Sequence, residues 1–146
     1  MRISTKGRYG LRAMVDLAVN SANEHVSLSS IAENQDISVS YLEQVFSALR
    51  KAGLVKSIKG AQGGYMLGDK PQNITVGQIL RTLEGHLSVV DDLDKEYDNK
   101  ILYCIKKNVW DKINSCIDEV VDSITLDDLV NEYYKVKCSD GYMYYI

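Results

Sequence analysis

The stretch SLSSIAENQDISVSYLEQVFSALRKAGLVKSIKGAQGGYML, Ser27 to Leu67, decides the fold. Leu42, Val45, Phe46 and Leu49 fall at i, i+3, i+4 and i+7, the spacing of one buried helical stripe. Either Ser38 caps the first turn of this helix, or Ser40 with Glu43 three residues on makes a capping box. Gly53 ends it, with Arg50 and Lys51 in the last turn, where cations suit the negative end of the macrodipole. Before it, Leu28, Ile31 and Ala32 outline a shorter helix capped at Ser27 or Ser30, and Gln35 to Ser38 makes the turn between the two. After it, Leu54 to Lys59 is a β-prone run, Gly60 to Gly64 a turn, and Tyr65 to Leu67 the return strand. Helix, turn, helix and hairpin in that order spell a winged helix-turn-helix, which points to double-stranded DNA.

The face of the second helix opposite its apolar stripe carries Ser40, Tyr41, Glu43, Gln44, Ser47 and Arg50. Short hydroxyls, amides and carboxylates match base edges in the major groove, where a good bidentate pair discriminates by about 1–3 kcal/mol. An ordinary solvated helix face looks the same in isolation, and the flanking elements tip the balance. In the hairpin, Lys56 and Lys59 flank a tip containing Gly60, Gln62, Gly63 and Gly64. Cations beside bare backbone amides suit DNA phosphates or the minor groove, and the glycines allow positive φ and close approach to something outside the chain. The expected DNA-binding set is therefore Ser38, Ser40, Tyr41, Glu43, Gln44, Arg50, Lys56, Lys59, Gly60, Gln62, Gly63 and Gly64.

Outward from this core, Ser4 or Thr5 caps a first helix running to about Ser21, with Leu11, Met14, Leu17 and Ala18 as its apolar stripe. Lys6, Arg8 and Arg12 gather near its start. Cations there oppose the helix dipole, so contact with phosphate explains them better than helix stability does, and Lys6 and Arg8 join the expected DNA-binding set. Past Pro71, Thr75 with Gln78 makes a capping box for a helix with Val76, Ile79, Leu80 and Leu83 inward and Gly85 at its end. Ser88 to Asn99 reads as an acidic loop. The longest helix spans Lys100 to about Ile124. Leu102, Ile105, Val109, Ile113, Cys116 and Val120 follow steps of three and four, and Ile101, Trp110, Ile117 and Val121 widen the stripe. A helix covering one small domain needs less apolar face, so this one is expected to meet its symmetry mate along those six residues. Thr125 with Asp128 caps a short last helix to about Tyr133. The Tyr-rich tail beyond it reads as a hairpin around Ser139-Asp140-Gly141, packed on a dimer, or as a disordered end.

The motifs Met1-Arg2-Ile3-Ser4-Thr5-Lys6-Gly7-Arg8-Tyr9-Gly10-Leu11, Tyr41-Leu42-Glu43-Gln44, Leu49-Arg50-Lys51-Ala52-Gly53-Leu54-Val55 and Gly63-Gly64-Tyr65-Met66-Leu67-Gly68 resemble the Rrf2 family of bacterial transcription regulators. The resemblance extends to about Val130. It implies a homodimer, each subunit a winged helix joined to a long dimerisation helix, bound to a near-palindromic operator. Gly53 to Ile58, Leu83-Glu84-Gly85 and Asp122 to Leu129 resemble the branch that represses cysteine and sulfur metabolism genes. That branch implies a second partner, the cysteine-biosynthetic enzyme O-acetylserine thiol-lyase. Cluster-binding members carry three cysteines and a histidine in the loop before the long helix. Here only Cys104 matches: the other cysteine positions fall at Asp92 and Asp98, and the histidine position at Lys107. Iron–sulfur clusters want several thiolates, so no cofactor is expected. Solvated carboxylates explain Asp92 and Asp98 better than a hard-cation site does.

The expected class is mainly α with a small β-hairpin wing. It divides into a winged helix-turn-helix domain over 1–85, a loop over 86–99, the dimerisation helix and short last helix over 100–132, and the tail over 133–146. The chain is 45% apolar and 25% charged with a net charge of −3, which at first opposes DNA binding. The distribution reverses that: through Lys70 nine basic residues face six acidic ones, and beyond it eight face fourteen. A basic head on an acidic body attracts phosphate through its local field. No apolar run approaches the roughly 18 residues of a membrane span, and the N-terminus lacks the apolar core of a signal peptide, so the cytoplasm is expected. Cys104, Cys116 and Cys138 are too few and too spread for a disulfide framework. Cys116 lies on the apolar stripe and is expected to pack in a core, while Cys104 near a helix start keeps a redox-sensing reading open. The competing readings are a cluster-binding or redox-sensing regulator and a protein-interaction module. No triad, phosphate loop or metal cluster supports an enzyme.

Overall fold

A computed structural model describes residues 1–21, 24–91 and 98–143, with side chains as far as Asp140. Asp92 and the chain end from Tyr144 lie outside the described residues. The first helix, α1 (Thr5–Asn20), is capped by Ser4, whose hydroxyl accepts the Gly7 N–H. Its buried face includes Ala13, Met14, Leu17 and Ala18. Helix α2 (Leu28–Gln35) is capped by Ser27 and closes on Asp36, which adopts φ 54° and donates its N–H to the Ala32 carbonyl. Asp36 is the one non-glycine with positive φ among the described residues, a conformation its short polar side chain tolerates. The chain then reaches Ser38, which caps α3 (Val39–Lys51) by accepting the Tyr41 N–H. Of the two caps the sequence allows, this leaves the Ser40–Glu43 pair free on the surface. Gly53, at φ 79°, turns the chain out of α3.

Strands β1 (Val55–Ile58) and β2 (Gly64–Leu67) pair antiparallel, with Val55 opposite Leu67 and Ile58 opposite Gly64. Val26 adds a third rung. Its N–H and carbonyl exchange two 2.8 Å hydrogen bonds with Tyr65, fastening the wing to the segment that enters α2. The main core gathers Met14, Leu17, Ile31, Leu42, Val45, Phe46, Leu49, Ile74 and Ile79. Each large side chain fully buried this way contributes about 1.5–3 kcal/mol. The Phe46 and Tyr65 rings meet at 4.9 Å, which sets the wing against α3.

Thr75 and Gln78 form the expected capping box at the start of α4 (Val76–Glu84). This helix does more than cover the core: Ile79 and Leu83 face the winged domain, while Val76 and Leu80 join Leu87 in a second cluster packed by Ile117, Val121, Ile124 and Leu129. It is the layer between the reading head and the long helix. That long helix starts as α5 (Lys100–Ile105), passes through a π-helical turn at Lys106–Trp110 and continues as α6 (Asp111–Ser123), its junctions all right-handed helical. The Asp111 N–H reaches back five residues to the Lys106 carbonyl. A π turn inserts one residue and rotates the face by roughly 100°, so Leu102 and Ile105 do not continue the regular stripe of Ile113, Cys116 and Val120.

Ile74–Val76 and Ile124–Leu126 then pair as two extended segments, through Val76 N–H to the Ile124 carbonyl (2.8 Å) and Leu126 N–H to the Ile74 carbonyl (2.9 Å). Leu126 is buried in the main core. Thr125 and Asp128 cap α7 (Leu126–Met143) reciprocally, as expected. The expected end near Tyr133 is not seen. The helix runs on to Met143, and the hairpin around Ser139-Asp140-Gly141 is replaced by helix. Every residue from Asn131 to Asp140 is exposed. The β-preference of Tyr and Val expresses packing on a half-buried surface; without one, a capped helix propagates.

Candidate nucleic-acid interface

Helix α3 separates its two faces cleanly. Leu42, Val45, Phe46 and Leu49 are buried, while Ser40, Glu43, Gln44 and Arg50 are exposed side by side. Ser38 is occupied as the N-cap. Tyr41 departs from the expected face: it is half-buried against the core and meets the Tyr9 ring edge-on at 6.0 Å. Its ring is held as part of the scaffold, leaving less of it for a partner.

In the wing, Lys56, Lys59, Gly60 and Gln62 are exposed. The three glycines differ in what they do. Gly60, at φ 122°, has open space where a Cβ would stand. A Cβ on Gly63 would come within 2.3 Å of the Ile58 carbonyl oxygen, and one on Gly64 within 2.5 Å of the Val26 carbonyl oxygen. Gly63 and Gly64 are therefore required by the chain's own backbone, correcting the expectation that they clear space for something outside. The wing tip has another partner that sequence reading missed. The His25 ring bonds the Gln62 carbonyl through Nε2, which must be the protonated nitrogen because a carbonyl only accepts.

At the start of α1, Lys6 and Arg8 are exposed. Arg8 bonds the Thr5 hydroxyl at 3.1 Å. Arg12 does not belong with them. Its guanidinium donates to the Gln35 backbone carbonyl at the end of α2 and lies 5.1 Å from the Tyr9 ring centre. Gln35 in turn donates to buried Asp16 at 2.8 Å. Arg12 is thus engaged in holding α2 to α1, and its charge satisfies a helix C-terminus.

One face of α6 is apolar and open. Ile113, Cys116 and Val120 line an open groove with Ile117, Val121 and the Lys112 stem. Val120 is 58% exposed, and Val109 and Ile113 are 39% exposed. Leu102 and Ile105 are only half exposed. Cys116 is exposed on this groove, not packed in a core as the spacing suggests; Cys104 and Cys138 are also exposed free thiols.

A buried-stripe helix set by a turn against a second helix, beside a fastened hairpin with cations at its rim, defines a winged helix-turn-helix regulator. The chain matches the Rrf2 family, described as an iron-dependent transcriptional regulator, over residues 3–132, and it belongs to that family. It is 47% identical to the HTH-type transcriptional regulator CymR of Bacillus subtilis across the full length of both chains. The structure of CymR, the global cysteine regulator of B. subtilis, superposes with a TM-score of 0.77 at 48% identity, covering 90% of this chain and 98% of that one. A structure of T. potens IscR matches with a TM-score of 0.77 at 46% identity, covering 99% and 96%. These relatives are regulators of transcription, not enzymes.

The family description raises iron, and the donor set here does not fit an iron–sulfur cluster. Cys104 lies on α5, Cys116 on α6 and Cys138 on α7, and the histidine position holds Lys107, whose ammonium repels a cation. Among the described residues no three His, Cys, Asp or Glu side chains converge. One thiolate cannot replace the set of cysteines that such clusters require.

No helix among the described residues is long and apolar enough to cross a membrane.

Proposed function

We propose that this protein is a sequence-specific repressor, acting in the cytoplasm as a homodimer without a cluster, on genes of cysteine and sulfur metabolism. The observation that carries the DNA reading is the exposed set Ser40, Glu43, Gln44 and Arg50 on α3, together with exposed Lys59 and Gln62 in the wing that packs on α3 through Tyr65 and Phe46. The 47% identity across both full chains to CymR, described as the global cysteine regulator of B. subtilis, supports the gene class. The apolar groove of α6 supports the dimer. The test is fluorescence anisotropy with duplexes taken from upstream of cysteine-biosynthesis genes and with scrambled controls. Preferential binding that falls by about 0.9 log units per tenfold salt for each phosphate neutralised supports the reading. Equal affinity for both duplexes removes it. Anaerobically purified protein should lack cluster absorption in the visible range; a cluster spectrum would replace this reading with that of an iron–sulfur sensor.

The resemblance also brings in O-acetylserine thiol-lyase as a partner. This part is separable: absence of co-sedimentation with that enzyme removes the partner and leaves the DNA reading intact.

A further inference from the structure

The first turn of α1 carries Lys6 and Arg8 but no acidic residue. Its cations face the positive end of the macrodipole, an arrangement the helix alone does not stabilise. The balancing charge comes from 80 positions away. A single carboxylate oxygen of Glu84, Oε1, accepts the Ser4 N–H at 3.0 Å, the Gly7 N–H at 3.1 Å and the Ser4 hydroxyl. Gly7 admits it, because a Cβ there would stand 2.2 Å from that oxygen. One turn on, a Cβ at Gly10 would stand 2.1 Å from Leu83 Cδ1, so α1 and the last turn of α4 touch through two glycines. The opposite side of α4 is tied to α6, where Arg81 bonds Asp118 at 2.7 Å and Asp122 at 2.6 Å. Two of the amides at this end, those of Ser4 and Gly7, are thus already served by a protein carboxylate. The exposed Lys6 and Arg8 side chains are the charged groups this end offers to phosphate.

We propose that Glu84 is a positioning residue for DNA binding: it clamps the first turn of α1 to α4 and so holds Lys6 and Arg8 where the phosphate backbone passes. This rests on the reading of α1 as a phosphate contact. It carries a distinctive sign. By charge alone, deleting an anion beside two cations strengthens attraction to DNA. By positioning, the same deletion weakens it. Bonds to an ionised acceptor are roughly twice as strong as neutral ones, which suits one oxygen gathering three donors.

The experiment measures the intact chain on a short random-sequence duplex by anisotropy across a salt series, since phosphate contacts do not depend on sequence. Wild type is compared with Lys6→Ala, Glu84→Ala, Glu84→Gln and the Lys6→Ala/Glu84→Ala pair, with circular dichroism confirming the fold. Glu84→Ala is expected to weaken binding and flatten the log–log salt slope by about 0.9–1.8, one to two phosphates' worth. Adding Lys6→Ala to it should cost less than Lys6→Ala costs alone. Glu84→Gln, whose amide oxygen still accepts, should keep the wild-type slope. Where Glu84→Ala does not fold, Glu84→Asp, too short to reach both amides, takes its place with the same expectation. If Lys6→Ala weakens binding while Glu84→Ala leaves it unchanged or tighter, the proposal is overturned and the α1 contact stands. If Lys6→Ala has no effect on the slope, the α1 contact itself fails and the proposal with it.

Discussion

Gln44 and Lys59 represent two kinds of contact that should fail differently. Gln44 stands exposed on α3, with an amide that can pair bidentately with a base edge; Lys59 stands at the wing rim as a point charge. Gln44→Ala should change the ranking of operator variants by about 1–3 kcal/mol at one position. Lys59→Ala should weaken all duplexes alike and reduce the salt slope by about 1. Equal losses from Gln44→Ala on operator and scrambled DNA would remove Gln44 as a reader. Gly64 tests the wing's seating instead: a methyl there would press on the Val26 carbonyl, so Gly64→Ala should destabilise the fold by about 1–3 kcal/mol in denaturant unfolding. At this scale the sequence was legible wherever a contact is local. Ser27, Thr75 with Gln78, and Thr125 with Asp128 bond amides three residues away, and a cap motif states that directly. The Glu84 clamp and the His25–Gln62 bond join positions far apart in the chain. The missing acid in the first turn of α1 was the one signal that something distant would supply the charge.

At the scale of elements, α4 is the layer on which both halves rest, and its outer attachment adds ion pairs from Arg81 to an apolar cluster. Hydrogen bonds from the Arg81 guanidinium hold the Asp122 carboxyl below the usual carboxylate range. A depressed carboxyl contributes stability that is present above its unfolded value, about 3.9, and is lost as pH falls through the lower folded value. Acidification through that window should therefore loosen α6 from α4. Hydrogen exchange in 111–123 is expected to rise there, and Asp122→Asn should remove this share of the pH dependence. Exchange that rises identically in Asp122→Asn would locate the acid sensitivity elsewhere. Apolar spacing revealed α1 to α4 because each buries a regular stripe of apolar side chains, α1 to α3 on one core and α4 on two. It could not reveal the π turn, since steps of three and four tolerate an inserted residue. Nor could it reveal the length of α7, where helix continues past its last buried contact.

For the whole molecule, the reading head and the acidic half are joined through α4, and the groove of α6 is an apolar surface that the described residues leave open. If that groove is the dimer seam, Val120→Glu should give a folded monomer, because Val120 supports no core of its own subunit. A charge buried on each side of a two-fold seam carries a desolvation penalty of several kcal/mol. Sedimentation should show half the mass with helical circular dichroism intact; a dimeric Val120→Glu protein would move the seam away from α6, with the exposed length of α7 as the next surface to test. The most direct measurement of the central claim is selection of bound duplexes from a fully random pool by the purified protein, followed by sequencing. Enrichment of a near-palindrome with half-sites about 34 Å apart is the expected result, two α3 helices entering major grooves one turn from each other. A bound pool as random as the input would contradict it.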